Sequence, residues 1–392
     1  MNSNSTNPQA LIKICLTLTV LFLPISISLQ AIFLIISLII ITLYQYKDFK
    51  KIIKTPWFIS MLLLIASIAI SCLFSPANPH TQLQLFSKYS KLLFLPILVI
   101  GFQDPETRNY TIYAFLLAML FTVCLSVLKT QGYLINLGEN IDAIFHNRII
   151  TGYYMAFSAF IAAIYTLNTQ NKMRWIYALL TIIYSGYILF INTSRTGYIV
   201  FAILTLLLII YNIKYSLKFL LILTIFTALG LSLQKYTPIP TDIRNSIQEV
   251  QNYYHGNQNT RVGFRLQFHQ YAYHLFMRSP IWGLGTGAFS YYFAKEQLIP
   301  SWGPTLFEPH SAYWLIMTEQ GLIGLSLLLT FFITLFYATY QIKKFKLLTQ
   351  GLLLTFIACC WSDGMIVLST GYFFLLFVAV GLGETLHPDP KE

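Results

Sequence analysis

The feature that most constrains this chain is a succession of apolar runs, each about as long as a membrane is thick, separated by short polar turns. A hydrocarbon core of about 30 Å takes about 20 apolar residues of helix to cross. Measured against that length, the sequence predicts spans near residues 11–28, 29–46, 57–74, 84–102, 109–128, 149–168, 174–192, 197–212, 216–234, 310–341, 348–362 and 367–386. Backbone polar groups in lipid must pair within their own segment, so runs of this kind are helices. The expected fold class is an all-α polytopic membrane protein. Two boundaries stay open: the first pair of spans is joined only through Pro24 to Gln30, and Asp363 and Gly364 alone separate the last two.

Charged residues make up 10% of the chain and hydrophobic ones 56%, whereas a soluble domain carries about a quarter charged residues. The net charge of +11 does not indicate a nucleic-acid binder, because the lysines and arginines sit in short clusters between apolar runs and form no single basic surface. The five cysteines, Cys15, Cys72, Cys124, Cys359 and Cys360, fall in or at the ends of apolar runs without the spacing of a zinc site. The apolar run ending at Pro24 resembles a signal peptide in outline, but it has no small-residue cleavage site, and another apolar run follows at once. It is read as a retained first span.

Short-loop lysines and arginines set the expected orientation. Lys47, Lys50, Lys51 and Lys54 follow span two, Lys172 and Arg174 span six, Lys214 and Lys218 span eight, and Lys343, Lys344 and Lys346 span ten. These loops share one parity, so they and both termini are expected in the cytoplasm. The loop Gln103 to Arg108 fits this pattern weakly. Loops of the other parity then face outward, including the long polar interruption that ends near Gly321. The expected organisation is residues 1–234 as the first nine spans, 235–309 as one large outward loop with amphipathic helices, and 310–392 as the last three spans.

The outward segments hold the residues suited to chemistry. Arg195, in the turn Asn192-Thr-Ser-Arg-Thr-Gly197, stands at a helix start where backbone N–H groups and a bidentate guanidinium suit phosphate oxygens; a snorkelling arginine at the headgroups is the other reading. Arg261, Arg265 and His269 share a face of a predicted helix whose other face carries Phe264, Phe268, Tyr271 and Leu275. This reads as an amphipathic helix on the membrane, its cations meeting headgroups or a bound anion. Arg265, set between aromatics, is the stronger site candidate.

His310, placed in the first turn of span ten on one face with Tyr313, Trp314 and Met317, is suited to take a proton from a sugar hydroxyl, or else caps the helix. Glu308 either orients it or favours the helix start electrostatically. Glu319, a carboxylate inside an apolar run, is a functional candidate or a packing partner. Lys88, Lys91, His146 and Arg148 are further outward cations. Gly283-Leu-Gly-Thr-Gly287 lacks a preceding strand and a P-loop lysine, so it is read as a turn after Ser279-Pro280. The outward loops contain no Asp-x-Asp pair and no His-Glu-x-x-His, so neither a metal nor another cofactor is expected. In their place, cationic side chains would neutralise a leaving diphosphate.

The turn Ser194-Arg195-Thr-Gly197, the Gly263-Phe-Arg265 helix with Ser279 to Gly287 behind it, and Pro309-His310-Ser-Ala-Tyr-Trp with Glu319-Gln-Gly321 together resemble the O-antigen ligase and polymerase superfamily of bacterial envelope enzymes. The resemblance in layout covers nearly the whole chain; the motifs occupy residues 190 to 325. It implies a metal-independent, inverting, C-type glycosyltransferase of the inner membrane with its site at the periplasmic face. The implied donor is an undecaprenyl-diphosphate-linked glycan. Arg195 and Arg265 match the arginines that engage the diphosphate, and His310 matches the histidine proposed to activate the acceptor hydroxyl. The polar loop resembles the large periplasmic loop over the site.

The chain's length and the lack of an added soluble region resemble the ligase that joins O-antigen to lipid A-core. A polymerase joining lipid-linked units is the alternative, and a transporter of an anionic solute is the reading from another class. The expected partners are the lipid-linked donor, lipid A-core and membrane lipid, with no nucleic acid.

Overall fold

A computed structural model describes residues 7–134, 144–212 and 239–387, and the regular elements among them are all helical. In chain order the α-helices are α1 (Pro8–Phe22), α2 (Ile27–Gln45), α3 (Pro56–Ser71), α4 (Pro79–Ser90), α5 (Phe94–Gly101), α6 (Pro105–Thr130), α7 (Arg148–Asn168), α8 (Met173–Phe190), α9 (Arg195–Tyr211), α10 (Ile239–Tyr254), α11 (Arg261–Phe276), α12 (Ala288–Glu296), α13 (Ala312–Ala338), α14 (Lys346–Cys359) and α15 (Thr370–Leu386). Several start on the same local signal, a capping Asn or Asp followed by proline. The missing proline N–H costs nothing at a helix start, and the side chain ahead of it accepts a free N–H. Asn78 Oδ1 takes the Thr81 N–H at 2.8 Å, and Asp104 Oδ2 takes that of Thr107 at 2.9 Å.

Seven stretches among the described residues are long and apolar enough to cross a membrane: Ile27–Lys51, Pro56–Phe74, Pro79–Gly101, Pro105–Thr130, Arg148–Asn168, Met173–Phe190 and Ala312–Gln341. Helices α1, α9, α14 and α15 are apolar but shorter than that length. The protein is therefore a polytopic membrane protein, all-helical among the described residues. The expected span at 216–234 lies outside the described residues. The last two expected spans are separate helices, divided by the segment from Cys360 to Ser369.

The chain divides into two units. In the unit of residues 1–44, 101–244 and 387–392, α7 packs against α8 and α9, and α1 against α6. Helix α7 is buried from Ile150 to Ile164, so it is the centre of this unit. Arg108 is fully buried here, and its guanidinium donates to the carbonyls of Phe102 (2.9 Å), Gln103 (2.8 Å) and His387 (3.1 Å). The loop at 103–108 fits the charge pattern weakly because its arginine is spent on backbone carbonyls rather than presented to a membrane surface.

In the unit of residues 45–100 and 245–386, α13 packs against α3, α11 and α12, and α14 against α15. Helix α13 is interrupted at Gly321, whose φ of 65° is one an L side chain rarely adopts. The carbonyls and N–H groups freed there are taken up by the Pro280–Gly285 segment. Leu284 and Gly285 donate to the carbonyls of Thr318 (3.0 Å) and Glu319 (2.9 Å), and Leu322 and Ile323 donate to Pro280 (2.8 Å) and Ile281 (3.3 Å). Backbone leaving its helix in an apolar setting needs such partners.

Side chains complete this knot. The Thr286 hydroxyl donates to the Ile68 carbonyl (2.9 Å), Gln320 Nε2 donates to Thr286 Oγ1 (3.2 Å) and Ser71 Oγ (3.3 Å), and Glu319 Oε1 accepts the Gly287 N–H (3.0 Å). The Gly283 to Gly287 string is thus a structural turn, as its sequence context predicts.

Candidate functional site

The site candidates fall in both units. In the first, Arg195 opens α9 behind the cap Ser194, whose Oγ accepts the Gly197 N–H at 3.4 Å. The turn ahead of it is buried: Asn192 Nδ2 donates to the Ser194 carbonyl at 2.9 Å, and the Tyr198 hydroxyl to the Asn192 carbonyl. Arg195 is half-buried on this framework. Arg148, also half-buried, opens α7 behind the cap Asn147, while His146 Nε2 stands 3.0 Å from the Leu23 carbonyl.

In the second unit the centre is His310. It is not in the first turn of α13, as the sequence suggested, but two residues ahead of it. The helix cap is Ser311, whose side chain accepts the Trp314 N–H at 3.4 Å. His310 has a φ of 53°, the left-handed region, which costs a residue with a Cβ roughly 1–3 kcal/mol. The surroundings hold it there. The Ala312 N–H donates to the carbonyls of Cys360 (2.9 Å) and Asp363 (3.3 Å), which pins the start of α13 to the turn after α14.

That pinning brings a residue the sequence reading passed over, Asp363, against the imidazole. His310 Nδ1 lies 3.4 Å from Asp363 Oδ1 and 3.4 Å from Glu308 Oε1. Both distances are long for a single hydrogen bond, so one Nδ1–H is shared between two carboxylates. Phe268 stacks on the ring at a 5.8 Å centroid distance, and Trp302 meets it edge-on at 6.4 Å. Nε2 has no hydrogen-bond partner among the described residues, and the side chain remains 30% exposed. The bracket therefore fixes one nitrogen and leaves the other for an incoming group.

The electrostatics follow from this packing. Burial pushes the His310 pKa down, but the Asp363 and Glu308 carboxylates outweigh it, and the net shift is upward. Burial, helped by the nearby Asp363 charge, pushes Glu308 up to about 7, while His310 pulls it the other way. His269, whose Nε2 is 3.4 Å from the His310 carbonyl, is lowered by burial and further by the Arg265 charge. Glu308 Oε2 is buried without a hydrogen-bond partner, and Gly364 lies so close to it that any side chain there would displace the carboxylate.

Two cations border the cluster. Arg265, half-buried on α11, makes no hydrogen bond or ion pair with the described residues, although its charge acts on His269, Glu308 and His310. Lys88 Nζ lies 3.6 Å above the Phe307 ring, beside Glu308 in the chain; it makes no ion pair with the described residues, although the Glu308 charge acts on it. Planar guanidinium and mobile ammonium donors left unpaired beside a fixed imidazole suit an anionic ligand with oxygen acceptors.

Most of the remaining candidates have structural work. Lys91 is buried, donates to the Leu368 carbonyl at 2.6 Å and lies 5.1 Å over the Tyr372 ring, so it is not an outward cation. Tyr313 gives its hydroxyl proton to the Ile357 carbonyl at 2.8 Å, away from His310. Glu319 is fully buried in the α13 knot, and Arg261 is exposed at the first residue of α11. The aromatic face of α11 is also reassigned: Phe268, Tyr271, Ala272 and Leu275 are buried against protein, chiefly α13 and α12, and do not form a membrane-facing stripe.

Glu308, His310 and Asp363 are also spaced to hold a cation, their ligating atoms lying within 4.8 Å of one another. No local motif announces this trio, because Asp363 comes from the turn after α14. The signal available was a lone acid between apolar runs, on the same expected side as His310.

No curated protein matches the chain. Residues 180–329, from α8 through the His310 junction into α13, match the family model described as O-Antigen ligase. The match of that segment supports the O-antigen ligase and polymerase superfamily, whose members are glycosyltransferase-like enzymes.

Proposed function

We propose that this protein is an O-antigen ligase, transferring glycan from undecaprenyl diphosphate to a sugar hydroxyl of lipid A-core at the periplasmic face of the inner membrane. The observation that carries the reading is the His310 junction: an imidazole held at Nδ1 by Asp363 and Glu308, open at Nε2, beside the unpaired Arg265 guanidinium. In the proposed step the acceptor oxygen attacks the anomeric carbon as its proton passes to His310 Nε2. The bond from that carbon to the diphosphate oxygen breaks, the electron pair leaves with the diphosphate, and the configuration inverts.

Arg265 neutralises the departing charge, with Lys88 beside the cluster as a further donor. Arg195 keeps the diphosphate role that the resemblance gives it, tested by its own substitution to alanine. Asp363 and Glu308 position the imidazole and balance the charge it gains.

The test is product analysis with purified protein, an undecaprenyl-diphosphate glycan and lipid A-core. Glycan on lipid A-core supports the ligase. Elongated lipid-linked glycan in its place supports the polymerase, and binding without turnover supports a transporter. The spacing of Glu308, His310 and Asp363 favours one variation, a cation-assisted transfer. Activity that survives a strong chelator rules this variation out; loss that is restored by a divalent metal replaces the proton-acceptor role of His310 with a ligand role.

A further inference from the structure

We propose that a cleft between the start of α4 and α12 is a subsite for the sugars that extend beyond the reacting one. The inference rests on the glycan-transfer reading above. The cleft has a volume of about 340 Å³ and is lined by Ala77, Asn78, Thr81, Ser290, Tyr291, Ala294 and Lys295, within the roughly 300–1,000 Å³ of small-molecule sites.

The fold brings its walls together through the polar turn ahead of α12. Ser75 Oγ donates to the Thr286 carbonyl at 2.7 Å and accepts the Ala77 N–H at 3.1 Å, which holds the residues before α4 against those before α12.

Several of the polar groups lining this cleft are unused. The Thr81, Ser290 and Tyr291 hydroxyls and the Asn78 amide nitrogen have no hydrogen bond with the described residues, and Lys295 Nζ lies 5.7 Å from the centroid of the Tyr291 ring, its charge also acting on Glu296. Four exposed or partly exposed hydroxyls elsewhere on this protein's helices, by contrast, turn back on their own backbone: Ser87 to Gln84, Ser90 to Ser87, Ser326 to Ile323 and Thr330 to Ser326. Hydroxyl and amide groups facing one concavity beside an aromatic side chain offer the mixed hydrogen-bonding and stacking surface that a pyranose presents in return.

Position along α4 ties the cleft to the reacting centre. Thr81 and Lys88 are seven residues apart, two helical turns, so they share one face of α4 at a rise of about 10 Å. Lys88 lies over Phe307, next to Glu308. A donor whose diphosphate and first sugar occupy the His310 region therefore reaches the cleft a few sugar rings further on, and a donor carrying a single sugar does not.

The experiment compares two donors with lipid A-core as acceptor, undecaprenyl diphosphate bearing one sugar and the same lipid bearing several repeat units. The variants are Tyr291→Ala, which removes the aromatic wall, and Ser290→Trp, which fills the cleft; thermal melting in detergent checks that each is folded. The expected result is about a tenfold rise in KM for the long donor, equivalent to about 1.4 kcal/mol, with single-sugar transfer unchanged. Equal effects on both donors, or no effect on either in folded variants, overturn the subsite alone. Wild-type protein that transfers neither donor overturns the glycan-transfer reading and the subsite with it.

Discussion

Helix α13 carries two polar clusters in an apolar framework, one at its start and one at its break, and they are built to opposite ends. At the break, Thr286, Ser71, Gln320 and the backbone of 280–285 bond to one another and hold the chain where a helix cannot continue, and the two atoms left over, Glu319 Oε2 and Gln320 Oε1, are sealed inside. At the start, His310 Nε2, Arg265 and Lys88 keep their donors and acceptors uncommitted. Buried polarity alone therefore does not mark a site. An uncommitted group held rigidly by paired ones and still reachable does, as the partly exposed His310, Arg265 and Lys88 are, since a ligand can then supply the missing partner.

The largest expected difference between the clusters is in rate. His310→Ala should lower transfer by about 10²-fold to 10⁴-fold, and Arg265→Ala by about 10²-fold or more, both with melting temperatures close to wild type. Single-turnover transfer assays beside thermal melts in detergent check this. A variant that loses activity only in proportion to folded protein would move its residue to the structural cluster.

Next in size is a pH effect at Asp363. The base must be neutral to accept a proton, and its pKa is raised, so transfer should fall as the pH drops through a value above the usual histidine range. Asp363→Asn removes one of the carboxylates that raise it. The acid limb of the pH–rate profile should move to lower pH, with kcat down by roughly tenfold. An unmoved limb would separate Asp363 from the base.

The smallest effects on chemistry should come from the break. Gly321→Ala forces a side chain into a backbone conformation essentially reserved for glycine and against the backbone of Ile281 and Gly283, and should cost at least about 1–3 kcal/mol of stability, read as a lower melting temperature. Per folded molecule its rate should stay near wild type, and a rate loss as deep as that of His310→Ala would merge the two clusters.

How much of this was legible in the amino-acid order depends on the range over which each feature is decided. The apolar runs, the Asn-Pro and Asp-Pro helix starts and the turn at Gly283 to Gly287 are local, and hydrophobic transfer and capping act within a few residues, so the helices appear near their expected positions. His310 and Arg265 were legible as residue types in a polar setting. Their freedom from partners was not, because it depends on what every neighbouring element leaves unclaimed.

The sequence by itself determined that this is a membrane-spanning helical protein with an arginine- and histidine-bearing polar segment. Only the tertiary structure decided that Asp363 joins Glu308 on one imidazole nitrogen, that Lys91 and Tyr313 are spent on backbone carbonyls, and that α13 is broken at Gly321. The physical reason is that hydrogen bonds and ion pairs fall off within a few ångströms. Residues 53 positions apart, such as His310 and Asp363, meet only after α13 and α14 have packed and pinned their ends together.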